Sequence, residues 1–149
     1  MKDSSGDQAY LEALLHGRDC GGLRSLSILS GSEVEADRAM LAGADGLVPG
    51  LGNVDPHGYV QLVDHLARGQ VDDARAVQER LRNLFGIVSI ETVEQMGGSS
   101  RALGAFKAAM RMLGAIDHDP CASPSVPLDD EDRDRVKEIL VQFGPGVAA

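Results

Sequence analysis

Cysteine is scarce in this sequence. Cys20 and Cys121 are the only two, far apart and without CxxC spacing, so there is neither a disulfide framework nor a zinc knuckle, a pattern that fits a reducing cytoplasm. Positive charge is in deficit as well. Fourteen Lys and Arg stand against twenty-three Asp and Glu, a net charge of −9, and an acidic surface repels phosphate backbones, which argues against nucleic acid as a partner. Long apolar runs are also missing: the longest candidates are broken by Arg68, Lys107 and Arg111, and no basic region precedes an apolar stretch at the N-terminus. The sequence therefore offers no membrane span and no signal peptide. The histidines, His16, His57, His65 and His118, form no HExxH or His-x-His arrangement. His57 and His65, eight apart on one expected helix, are too distant to share a metal.

What the chain does have is enough apolar residue, 43% of 149, for one ordinary core or a small core with an appendage. "DQAYLEALLHG" puts Tyr10, Leu11, Leu14 and Leu15 on one helical face with Gly17 as a stop. "GGLRSLSILSG" sets Leu23, Leu26, Ile28 and Leu29 between glycines, a short buried run that suits a strand. "SEVEADRAMLAG" reads as a helix capped by Ser32 and closed by Gly43. "ADGLVPGLGN" is a second strand-like run, and Asp55-Pro56 opens a helix with Tyr59, Leu62, Val63 and Leu66 as its buried stripe. This alternation predicts parallel strands with helices across their faces. After Gly69 the rhythm becomes helical: Val77, Leu81 and Leu84; then Leu103, Phe106, Met110 and Leu113 behind a cap near Ser99; then, past prolines 120, 124 and 127, Val136, Ile139, Leu140 and Phe143 between Asp129 and Gly144. The expected organisation is residues 1–69 as a βα unit and 70–149 as three appended helices.

Strand ends followed by short glycine-containing loops are where βα enzymes keep their chemistry. Lys2, Ser30-Gly31 and Val48-Pro49-Gly50 are three such ends in succession, so the alternation predicts that they share one rim. Gly50-Leu51-Gly52 lacks the third glycine of a nucleotide loop, and Asn53 is expected to secure the turn instead. "DHDPC" reads as a linker and "DDEDRDR" as a charged helix start, where its acids suit the helix dipole.

Five stretches in order, "KDSSGD", "LSGSE", "AGADGLVPGLGNV", "ARGQVDDARAVQERL" and "FKAAMRMLGAI", resemble the dihydrodipicolinate synthase / N-acetylneuraminate lyase family of class I aldolase-type (β/α)8 barrels. The resemblance runs from Lys2 to about Gly144. It implies a partial (β/α)8 TIM barrel, from the end of the sixth strand through the eighth helix, followed by a C-terminal three-helix appendage. It also implies that Lys2 forms a Schiff base with pyruvate or a related 2-keto acid, without cofactor or metal. By the same resemblance Gly31 and Val48 line the keto-acid pocket, Glu33 and Gly50 meet the tail of the aldehyde, and the complete enzyme is a cytoplasmic homotetramer. The family's strands one to five and its proton-relaying tyrosine have no counterpart here, since Tyr10 and Tyr59 fall on helices. A full barrel takes roughly 250 residues, so the comparison implies a mis-started or truncated product that is inactive alone. The alternative is a catalytically inactive half-barrel surviving as an interaction module.

Overall fold

The computed structural model of the chain describes residues 1–89, 98–123, 125 and 127–145. Three two-residue strands, β1 (Lys2–Asp3), β2 (Leu29–Ser30) and β3 (Gly46–Leu47), make one parallel sheet in the order β1-β2-β3. Lys2 lies opposite Leu29, and Leu29 opposite Gly46; Asp3, Ser30 and Leu47 form the next row. Parallel neighbours need helical crossovers. Here α1 (Gln8–Cys20) and α2 (Ala36–Leu41) supply them, and a 3-10 turn at Gly50–Asn53 carries the chain from β3 into α3 (Pro56–Ala67). Three further helices follow: α4 (Val71–Phe85), α5 (Gly98–Met112) and α6 (Asp130–Phe143).

Where the sequence carries a cap, the helix begins on it. Asp7, Asp55 and Asp129 each accept a hydrogen bond from the backbone N–H three residues on, at 3.1, 2.8 and 2.9 Å, which satisfies one orphan donor per helix. Pro56 occupies the first turn of α3, and Gly69 makes the left-handed turn into α4 at φ +72°.

Several expectations need correction. Gly17 does not stop α1, which runs three residues further and turns at Gly21 and Gly22, the latter at φ +69°. The run from Leu23 is no strand: the Leu26 N–H donates to the Leu23 carbonyl, leaving both side chains exposed, and only Leu29–Ser30 joins the sheet. Ser32 does not cap α2, which starts at Ala36 because the preceding residues are held by bonds from α4. Tyr10 and Leu103, placed on buried faces by their spacing, are about half exposed. The side chain of Ser99 and all of Pro124 lie outside the described residues.

The main core joins α3 to the appended helices: Leu51, Val54, Tyr59 and Leu62 pack with Leu81, Leu84, Phe106, Val136 and Leu140. Small residues Ala105, Ala108 and Ala109 let α5 approach closely. A second, thinner cluster of Leu11, Leu15, Ile28, Ala39 and Ala44 lies under α1, with Leu47 touching both. Among the described residues, no helix is long and apolar enough to cross a membrane.

Candidate functional site

The C-terminal ends of the three strands face one way because the sheet is parallel, so the loops after Asp3, Ser30 and Leu47 lie side by side. Lys2 is exposed, and its Nζ donates to Ser4 Oγ at 2.5 Å. Gly31 lies against it: a Cβ at position 31 would collide with the Lys2 amine and come within 2.9 Å of both Lys2 Cε and Ser4 Oγ. The Gly31 N–H donates to the Asp3 carbonyl at 2.7 Å, and the Val48 N–H to the Ser30 carbonyl at 2.8 Å, so both loops leave their strands still in ladder. The Val48 side chain is 47% exposed at this rim.

Glu33 and Gly50 are in direct contact. Glu33 Oε1 accepts from the Gly50 N–H at 2.9 Å, tying the loop after β2 to the loop after β3. Gly50 has no room for a side chain, since a Cβ there would meet Phe106 Cε2 at 2.7 Å and Glu33 Oε1 at 3.2 Å. Asn53 Nδ2 donates to the Gly50 carbonyl at 3.0 Å and closes the same turn. The structure thus joins the candidate residues as two pairs, Lys2 with Gly31 and Glu33 with Gly50, on adjacent strand ends. Val48 joins neither pair through its side chain, which is apolar and about half exposed, and is held by its backbone N–H to the Ser30 carbonyl.

Residues to which the sequence assigned only a packing or capping part, or none, support this rim. The Tyr59 hydroxyl donates to the Glu33 carbonyl at 3.1 Å. Burial, reinforced by the carboxylates of Glu33 and Asp55, pushes that hydroxyl far above the ordinary tyrosine range. Gln78 is 1% exposed; its Nε2 donates to the same Glu33 carbonyl at 3.1 Å, and its Oε1 accepts from the Asp37 N–H at 3.1 Å. Beneath them Asp55 is buried on Arg80 at 2.7 Å, and Arg80 also donates to the Phe143 carbonyl at 2.8 Å. One signal was readable in the sequence. Gln78 interrupts the stripe Ala74, Leu81, Leu84, and a polar residue at a core position demands partners.

A family model described as the dihydrodipicolinate synthetase family matches residues 1–143. The chain is 29% identical over 144 residues to a 4-hydroxy-tetrahydrodipicolinate synthase of Chlorobium limicola, covering 97% of this chain and 44% of that protein. Its fold overlays the dihydrodipicolinate synthase of Bacteroides thetaiotaomicron with a TM-score of 0.81 at 26% identity, over 95% of this chain and 45% of that one. It also overlays YagE, a prophage protein of the dihydrodipicolinic acid synthase family from E. coli K12 solved in complex with pyruvate, with a TM-score of 0.79 at 21% identity, over 95% of this chain and 44% of that one. The chain's α/β architecture, a three-stranded parallel sheet with helices, therefore overlays part of the fold of these TIM-barrel family proteins. More narrowly, the chain belongs to the dihydrodipicolinate synthetase family. It spans less than half the length of the relatives it matches.

Proposed function

We propose that this chain carries the lysine-bearing part of a Schiff-base lyase that joins or splits pyruvate, or a related 2-keto acid, and an aldehyde. In this reading β1, β2 and β3 are the sixth, seventh and eighth strands of a (β/α)8 barrel, residues 1–69 belong to the barrel, and 70–149 form its helical appendage. The observation that carries it is the placement of Lys2 on a strand end against Gly31, beside the loops after β2 and β3, in a chain of this family.

The chemistry follows from the amine. A free lysine has a pKa of about 10.4 and attacks carbonyls only once deprotonated. The amine adds to the keto carbon, water leaves, and an iminium forms. Loss of a proton from the neighbouring carbon then gives an enamine, whose carbon attacks the aldehyde; the aldehyde oxygen takes up a proton to become a hydroxyl, the iminium re-forms, and water hydrolyses it to release the product and the amine. Each step reverses in the cleavage direction. Gly31 gives the amine room, and Glu33 with Gly50 borders the place where the aldehyde meets the enamine.

Trapping with pyruvate and borohydride tests this reading. The chain contains three lysines, Lys2, Lys107 and Lys137. The expected result is reduced adduct on Lys2 in preference to the other two, increasing when the part of the barrel that the relatives possess and this chain does not span is supplied. Equal labelling of all three in the folded, supplemented protein removes the reading.

A further inference from the structure

The loop carrying Glu33 is held less by its own strand than by the appended helix α4. Four hydrogen bonds reach the backbone of residues 33–37 from helices α3 and α4, and three of them come from α4. Gln78 donates to the Glu33 carbonyl and accepts from the Asp37 N–H, bracketing the segment at both ends. Arg82 Nη2 donates to the Val34 carbonyl at 2.8 Å from the surface side of the same helix. The fourth is the Tyr59 hydroxyl from α3. A carboxamide buried to 1% exposure is costly unless paired, and Gln78 is paired at both atoms only while the loop keeps this course. The loop in turn aims the Glu33 carboxylate at Gly50.

We propose that α4 is a positioning element of the rim, with Gln78 as its main residue and Arg82 as its support. By fixing the backbone of residues 33–37 they set the Glu33 to Gly50 bond, and so the spacing of the two loops that border the aldehyde side. This rests on the functional reading above for its catalytic meaning, and on the hydrogen bonds alone for its mechanics. The appendage then acts on the co-substrate side of the site, and the keto-acid side, where Lys2 meets Ser4 and Gly31, is built without it.

Amide hydrogen exchange followed by NMR on the full 149-residue chain tests the proposal. In Gln78→Met the Gly50 amide should exchange about tenfold faster, the scale of losing one hydrogen bond, while the Leu62 and Leu84 amides in the core helices change much less. Glu33→Ala should expose the Gly50 amide by a similar factor, and the double variant should be no faster than the faster single one, because both act through the same bond. Arg82→Met, at a surface position that leaves the core intact, should accelerate Gly50 in the same direction by a smaller factor. It serves as the test if Gln78→Met does not fold. Uniform acceleration of Gly50 and core amides, full additivity with Glu33→Ala, or an unchanged Gly50 amide in Arg82→Met when Gln78→Met is unfolded, would each overturn the proposal. Failure of pyruvate to mark Lys2 would instead remove the functional reading and leave the exchange result standing.

Discussion

Tyr59 shows how much one side chain here serves both packing and the rim. Its ring is buried at 6% exposure, and its hydroxyl reaches the Glu33 carbonyl. Burial first, then the charges of Glu33 and Asp55, hold the phenol protonated; Arg80 acts in the opposite sense. Because the folded value lies above the unfolded one, the stability tied to the neutral phenol is complete below the unfolded pKa of about 10. It is lost as pH rises beyond that, where the unfolded chain gives up the proton and the folded chain does not. Urea unfolding followed by circular dichroism from pH 7 to pH 11 should show this decline. Tyr59→Phe should cost about 1 kcal/mol at pH 7 for the missing hydrogen bond and make the alkaline limb shallower. An unchanged slope in the variant would mean that other groups govern it.

At the scale of elements, α1 is the least anchored. It rests on a few residues, Leu11 and Leu15 over Ile28, Ala39 and Ala44, whereas α3 and α4 lie in the main core with Leu62, Leu81 and Leu84 fully buried. Local opening follows buried apolar contact, so the amides of α1 should exchange faster than those of α3 and α4. Matching protection across the three would show that the two clusters open as one unit. The same elements separate what the sequence made legible from what it hid. Asp55-Pro56 and Asp129 mark helix starts because a cap acts through bonds made within one turn. Leu23 and Leu26 misled because apolar composition does not say whether a segment extends or folds back on itself, and the Leu26 to Leu23 bond decides it. Tyr10 and Leu103 fit their helical stripes but lie at the edges, where about half of each stays exposed. The shared rim was legible, since parallel strands leave no other place for their ends. The role of α4 was not, because Gln78 and Arg82 act on a loop more than forty residues away, and periodicity reports a buried face without naming what it meets.

For the whole molecule, the sheet is the open question of stability. Among the described residues β1 and β3 each pair on one side only. Beside β3 lies an open, largely apolar groove of about 250 Å³ lined by Leu47, Tyr59, Val60, Val63 and Asp64, in which Val60 is 57% exposed. Unpaired strand edges next to exposed apolar surface favour association. The 149-residue chain should therefore show concentration-dependent self-association in sedimentation velocity, reduced by Val60→Asp. A monodisperse monomer at high concentration would show that this groove is not adhesive.

The close seat of Gly50 on the Phe106 ring couples two positions fifty-six apart in the sequence. Any side chain at 50 needs the space that Phe106 fills, so in a library randomised at both positions, folded clones with a larger residue at 50 should emerge only alongside a smaller one at 106. Divergence of the loop after β3 is thereby tied to divergence of α5, and the two are free to change only together.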